Sequence, residues 1–179
     1  MGIDYNAVMA AASVVAAIAA IIAIWIESRR SRFATGVDLI HKLDREFRGE
    51  HFIKTRQNAS LELSQAPIKT THAIDEILNF FEEIAFFARR GAPDLYTTWY
   101  FFFSYMYRFH TIAAAYIQEQ RRKDSTLWAN YLKLYPKLLA IEHAERSKLG
   151  TKKDLDKDDI ELFLLEERTI ATDVKQETV

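Results

Sequence analysis

An uninterrupted apolar stretch at residues 7–26 constrains this chain more than any other feature of its sequence. The stretch is twenty residues long, carries no charge and contains a single hydroxyl group, that of Ser13. Twenty residues of α-helix rise about 30 Å, which matches the hydrocarbon core of a bilayer. We therefore expect one transmembrane helix at residues 7–26, preceded by a short extracytoplasmic segment at residues 1–6.

The flanking residues predict how this helix is anchored and oriented. Tyr5 and Trp25 lie near its two ends, where amphipathic rings prefer the headgroup region. Arg29, Arg30 and Arg32 follow the stretch, whereas the first six residues carry one charged side chain. The positive-inside rule then places the N-terminus outside and the rest of the chain in the cytoplasm, attached to the inner (cell) membrane.

Two other interpretations of the stretch fit less well. A cleaved signal peptide needs a basic N-terminal region and a shorter apolar core, and the sequence has neither. A buried core helix that is apolar on all sides needs a partner on every side. Ala12, Ala16 and Ala20 share one helix face, which predicts close packing on a second membrane helix, although alanine is also simply a good helix former.

The composition of the remaining chain indicates an all-α fold. There are only five glycines and three prolines, and no segment alternates apolar and polar residues in the manner of a strand. We expect a cytoplasmic bundle of four or five helices at residues 27–150. Residues 151–179 hold nine acidic and five basic residues, and we expect a partly disordered acidic tail with a short docking helix at 160–165.

The helical periodicity divides the bundle into segments. The apolar helix is expected to continue to about residue 48, with a kink at 31–36 as an alternative. Further helices are expected at residues 50–63, 71–90, 94–120 and 127–149. The aromatic helix at residues 95–120 is apolar on most of its surface, so we expect it at the bundle centre, with a partner interface or the bilayer as alternatives.

Three charged residues lie within the most apolar helices. Glu82 and Glu83 occupy the middle of the third helix of the bundle, and Arg108 lies in the aromatic helix. We expect an ion pair between one of these acids and Arg108, buried or half-buried, that fixes how the helices align. A carboxylate that binds a ligand is the alternative interpretation.

The sequence shows no catalytic constellation. The glycines are isolated, cysteine is absent, and no His-Glu-x-x-His motif occurs. The nearest metal-binding patterns are Asp38-x-x-His41 and the reversed His72-x-x-Asp75, which fall short of the ligands that a di-iron bundle needs. We therefore expect no catalytic, cofactor or metal site. The net charge of −1 gives no support for a nucleic-acid surface.

Several short motifs resemble those of a bacterial family of unknown function. The sequence Leu-Asn-Phe-Phe-Glu-Glu-Ile at residues 78–84 is followed by Arg-Arg-Gly at 89–91, by Trp99, and by Tyr-Ile at 116–117 before Arg121 and Arg122. Members of this family are small proteins with one N-terminal span and a helical cytoplasmic domain. The resemblance covers about residues 32–146 and implies an architecture without an activity, while Ala92, Pro93 and the acidic tail depart from the pattern.

These expectations lead to two hypotheses about function. The first is a membrane-anchored, non-enzymatic scaffold or accessory subunit that binds another protein or a second copy of itself. The second is a membrane-tethered sensor or regulatory effector whose bundle binds a small ligand near Glu82, Glu83 and Arg108.

Overall fold

Six α-helices make up the described part of this chain. The computed structural model describes residues 5–64, 71–149 and 157–174, and the surroundings of the side chains at 16–31, 34–64, 71–149 and 159–169. The helices are α1 (Tyr5–Phe47), α2 (Glu50–Leu63), α3 (His72–Arg89), α4 (Leu95–Lys123), α5 (Ala129–Lys148) and α6 (Lys157–Val174). The predicted all-α class is confirmed.

The first helix joins the apolar stretch to the bundle. α1 is 43 residues long and runs without a break through the segment where a kink was the alternative. Its last turns are buried through Ile40, Leu43 and Phe47. The Phe47 ring lies 4.9–6.0 Å, between ring centroids, from the rings of Phe52, Phe80, Phe81, Phe102 and Tyr105. The C-terminal end of α1 is therefore fixed in an aromatic core.

The third helix supplies more of the buried core than any other described helix. Apolar residues recur at three- and four-residue steps, so that one face of α3 is buried against α2, α4 and α5. This face includes Ile74, Ile77, Leu78, Phe81 and Ile84. α3 ends at Arg89, and Gly91 follows with φ of +82°, a left-handed conformation that glycine adopts without steric cost. The predicted glycine stop is confirmed.

The aromatic helix lies in the bundle, as expected. The buried residues of α4 are Thr98, Phe102, Phe103, Met106, Phe109, Ala113, Tyr116 and Ile117. Packing against α5 is fixed at its centre, where the fully buried Tyr131 hydroxyl donates to the Met106 carbonyl at 3.0 Å. α4 begins where Asp94 accepts a hydrogen bond from the Thr97 backbone N–H at 2.9 Å.

The last two helices differ in part from expectation. Trp128 precedes α5 with φ of +51° and is buried, so the helix begins at Ala129 rather than at residue 127, and it continues through Pro136. The short docking helix expected at 160–165 is the centre of the longer α6, which packs on α2 and places Phe163 in the core. Residues 151–156 and 175–179 of the expected tail lie outside the described residues.

Candidate functional sites

The apolar part of α1 is exposed on every side. All residues at 16–31 are exposed, including Ile21 (67 %), Ile24 (70 %) and Trp25 (56 %). The Arg29 guanidinium lies 4.2 Å from the centre of the Trp25 ring, at the boundary between the apolar stretch and the charged residues that follow. No described side chain of the chain itself covers this apolar surface.

The structure describes the side chains of only some of the residues that were predicted to lie in or next to a membrane. Across the residues with described side chains, no helix is long and apolar enough to cross a membrane. The side chains of residues 7–15 within the predicted span, Ala12 among them, lie outside that set, as do those of Tyr5 and Arg32. Ala16 and Ala20 are both exposed, as are Arg29 and Arg30.

The predicted partners of Arg108 are engaged elsewhere or exposed. Glu82 accepts hydrogen bonds from the backbone N–H groups of Asn130 (3.1 Å) and Tyr131 (2.8 Å). Glu83 is exposed, and the Arg108 guanidinium lies 5.0 Å from the centre of the Phe163 ring. The ion pairs of the described residues include none between Arg108 and either acid. The first turn of α5 binds Glu82 because its backbone N–H groups have no partner within the helix.

The family-like motif around Glu82 forms a contact between α3 and α5. The Trp128 indole donates to the Asn79 side-chain oxygen at 3.0 Å, and Glu82 binds the start of α5 next to it. The Asn130 amide also donates to Glu82, while its oxygen accepts from Arg89. Asn79 and Glu82 therefore determine how α5 begins and how it lies on α3.

A buried ion pair that the sequence analysis did not identify joins α2 to α6. Arg56 donates to Glu167 at 3.2 Å, and the two side chains are 4 % and 3 % exposed. Arg56 also lies over the rings of Phe47 and Tyr105, at 4.8 and 5.3 Å from the ring centres. Burial raises the pKa of Glu167, against the opposing effect of Arg56 and Arg108.

This pair has a signal in the sequence. Arg56 follows Phe52 by four residues and precedes Ala59 by three, so all three share one helix face. Glu167 follows Phe163 by four residues in the same way. A charge on an apolar stripe in each of two helices is the pattern that predicts a buried pair. One atom on each side, Arg56 Nε and Glu167 Oε2, has no hydrogen-bond partner.

A pocket of about 260 Å³ lies between α4 and α5. Aromatic side chains of α4 line one side, namely Trp99, Tyr100, Phe103 and Tyr107. The rest is lined by the apolar Leu139 and by charged and polar side chains, namely Ser104 and Arg108 from α4 and Glu142, His143 and Arg146 from α5. Glu142 accepts from the Trp99 indole at 2.8 Å and pairs with Arg146. The pocket therefore combines aromatic walls with Arg108 and the Glu142–Arg146 pair, an arrangement that suits a small aromatic ligand with polar groups.

The residues of the candidate metal patterns have other contacts in the fold. The His41 ring packs against Phe101, with centroids 5.3 Å apart. Asp75 accepts a hydrogen bond from the Tyr116 hydroxyl at 2.6 Å, and the pKa of Tyr116 is raised to about 12 by burial and by this acceptor. In the part of the chain that the structure describes, no group of three or more His, Cys, Asp or Glu side chains is arranged to hold a metal ion.

Residues 7–138 match the domain of unknown function (DUF4760). The chain belongs to this family. The DUF4760 domain begins inside the apolar part of α1 and ends within α5, so α6 lies beyond it. The expectation of a family without an assigned activity is confirmed. Comparison with curated proteins and with solved structures gave no match.

Proposed function

We propose that this DUF4760 chain is a membrane-anchored, non-enzymatic scaffold or accessory subunit that binds another protein or a second copy of itself. The exposed apolar segment of α1 carries the proposal. Burying one isoleucine side chain contributes about 1.5–3 kcal/mol, and five isoleucines are exposed between residues 18 and 26. A helix that is apolar on all sides is stable where apolar material surrounds it, and a bilayer provides this.

Three further observations support the same proposal. The family match includes the apolar stretch from residue 7 onward, so the stretch belongs to the domain. α1 is one continuous helix from this stretch into the aromatic core, which fixes the bundle directly to its anchor. Arg29 and Arg30 are exposed immediately after the stretch, where cations favour the cytoplasmic side.

Cysteine labelling tests the anchor and its orientation, because the natural chain has no cysteine. We would introduce Asn6→Cys before the apolar stretch and Ser125→Cys in the exposed connection between α4 and α5. A membrane-impermeant maleimide should label Asn6→Cys in intact cells and Ser125→Cys only after permeabilisation. Equal labelling of both in intact cells, or release of the protein from membranes by alkaline carbonate, would refute the proposal.

The alanine face of α1 is the proposed contact for a protein partner or a second copy. Ala16→Leu would add bulk to this face, whereas the matched change Ala17→Leu lies about 100° around the helix. Purification of the tagged full chain in mild detergent, followed by mass spectrometry and molar-mass measurement, should show a partner or oligomer that is lost in Ala16→Leu only. A monomer that purifies alone would contradict this role.

The pocket between α4 and α5 favours a second candidate, a membrane-tethered sensor or regulatory effector. Arg108 lines this pocket, but Glu82 and Glu83 do not, so the candidate ligand site differs from the expected one. Small aromatic carboxylates should raise the thermal midpoint of the full chain in detergent. Ser104→Trp, which fills the pocket from its exposed rim, should abolish the shift. A panel without any shift would rule against this candidate.

A further inference from the structure

Four parts of the fold meet at one end of the bundle, which we call the α1 end. α3 ends there at Arg89 and α4 begins there at Leu95. α1 passes so close to the α3–α4 connection that a Cβ atom on Gly36 would lie 3.2 Å from the Pro93 Cα atom. The C-terminal half of α5 reaches the same place, because its Glu142 accepts a hydrogen bond from the Trp99 indole in the first turns of α4 at 2.8 Å.

The α1 end exposes an unusual set of apolar and aromatic side chains. They are Phe86, Leu95, Tyr96, Tyr100 and Leu149, and the last two are 72 % and 78 % exposed. Tyrosine is a side chain that prefers the interface between headgroups and hydrocarbon, where its ring is shielded and its hydroxyl is hydrated. No described part of the chain covers these side chains.

Basic side chains accompany the aromatic ones. The Arg90 guanidinium lies 4.3 Å from the centre of the Phe86 ring, an arrangement that repeats that of Arg29 over Trp25 on α1. Two of the acidic groups nearby have local partners, since Asp94 caps α4 and Glu145 binds Lys148 at 2.7 Å, whereas Asp38 of α1 and Glu83 of α3 are exposed. The α1 end therefore presents an arginine on an aromatic ring, and its guanidinium complements the phosphate groups of lipids.

The position of α1 brings this end close to a membrane. Gly36 follows Ile26 by ten residues of continuous helix, so it lies about 15 Å beyond the end of the proposed span. Headgroups extend about 5–7 Å beyond the hydrocarbon on each side. Transmembrane helices tilt by about 20° on average, and a tyrosine side chain reaches several ångströms further. Tilt by this angle lowers a neighbouring helix, whose axis is about 10 Å from that of α1, by about 3 Å, and a tyrosine side chain spans most of the remaining gap of about 8 Å.

We propose that the α1 end of the bundle lies against the phospholipid headgroup layer and holds the domain on the membrane surface rather than away from it. This inference rests on the proposed function, because it requires that α1 is anchored in the bilayer. It adds a second contact with the membrane, made by the folded domain itself.

Depth measurements on the full chain in lipid vesicles test the inference. Spin labels at Ile22→Cys, Ser147→Cys and Ser125→Cys would report on the anchor, the α1 end and the opposite end of the bundle. Collision with oxygen and with an aqueous nickel reagent gives the depth of each label. We expect Ile22→Cys in the hydrocarbon, Ser147→Cys at headgroup depth and Ser125→Cys in water.

The outcomes separate the two proposals. If the label at Ile22→Cys is exposed to the aqueous reagent, the anchor itself is wrong. If that label is in the hydrocarbon but Ser147→Cys is as accessible as Ser125→Cys, the anchor stands and the further inference is overturned. Protection of Ser147→Cys that persists in detergent micelles indicates contact with protein instead of lipid, which also overturns it.

A charge variant tests the lipid contact independently. In vesicles that contain phosphatidylglycerol, the anchored bundle either lies on the membrane surface or is held away from it. Arg90→Gln should lower the ratio of the first population to the second about fivefold, which corresponds to about 1 kcal/mol for one basic residue at an anionic surface. Arg122→Gln is the matched control, because Arg122 is exposed in the last turn of α4 at the opposite end. Equal effects of the two variants would contradict the inference.

Discussion

Breaking the buried pair between Arg56 and Glu167 should release α6 from the bundle, whereas replacing both residues should not. The two side chains are almost fully buried and their nearest polar atoms are 3.2 Å apart. Removing one partner leaves the other charge buried without compensation, which costs about 3–5 kcal/mol. Replacing both by apolar residues of similar length removes the two charges together, and such exchanges are often neutral.

The size of this free-energy cost indicates that α6 alone is released and that the rest of the chain stays folded. Apart from Glu167, the buried side chain of α6 within its described residues is Phe163, whose burial contributes about 1.5–3 kcal/mol. The cost of the orphaned charge is at least as large as this contribution. Release of α6 returns that charge to water, so it relieves the cost without disturbing the aromatic core around Phe47.

Amide hydrogen exchange measured by mass spectrometry on the full chain is the appropriate assay. Arg56→Met and Glu167→Met should each abolish protection in α6 while α3 and α4 remain protected. The double variant should recover most of the protection in α6. The reasoning is refuted if either single variant keeps α6 protected, or if the double variant exchanges as fast as the single ones.

The pH dependence of α6 provides a second measurement on the same pair. Because burial raises the pKa of Glu167 above its usual 4.5, the docked state binds this proton more tightly than the released state. Docking is therefore strongest below pH 4.5 and weakens as the pH rises through the elevated pKa. A protonated Glu167 still accepts the hydrogen bond from Arg56, which Glu167→Met removes, so protonation and this substitution act in opposite directions. Protection of α6 should therefore increase on acidification in the natural chain and lose this dependence in Glu167→Met.

Three other substitutions test the packing of the bundle, each by thermal or urea unfolding of the full chain in mild detergent. Glu82→Ala should lower the unfolding free energy by about 1–2 kcal/mol because α5 loses its N-terminal acceptor, while the exposed Glu83→Ala should change little. Burial lowers the pKa of His110 below 6.5, so stability should fall as the pH drops through 6.5, and His110→Phe should flatten that slope. Gly36→Ile should lower the thermal midpoint, because its Cβ atom would crowd the backbone of Pro93.

The helices were the predictable part of this fold because their signals are local. The stripe of α3, with Ile74, Leu78 and Phe81 at helical spacing, predicts both the helix and its buried face. Gly91 predicts where α3 stops, and the left-handed conformation found there is the physical reason. Such features depend only on residues within one or two turns, so the sequence contains them directly.

The polar contacts were less predictable because they depend on which helices become neighbours. Arg108 was expected to pair with Glu82 or Glu83, since these were the charges in the most apolar helices. The fold instead brings the start of α5 to Glu82 and brings Phe163 of α6 to Arg108. Trp128 was expected inside a helix, but it precedes α5 with a positive φ, and its indole donates a hydrogen bond to Asn79 of α3.

The distribution of these contacts also bears on function. Asn79 and Glu82 of the family-like motif are both engaged in positioning α5, so these two residues account for architecture, while the other carboxylate of the motif, Glu83, is exposed. The exposed features are instead the apolar segment of α1 and the aromatic surface at the α1 end. Both belong to the part of the chain that matches the family, except for Leu149. Asn79 and Glu82 serve the packing of the helices, and the exposed surfaces are apolar and aromatic. This distribution is consistent with a scaffold that binds through surfaces at a membrane, because the packed interior keeps those surfaces in a fixed arrangement.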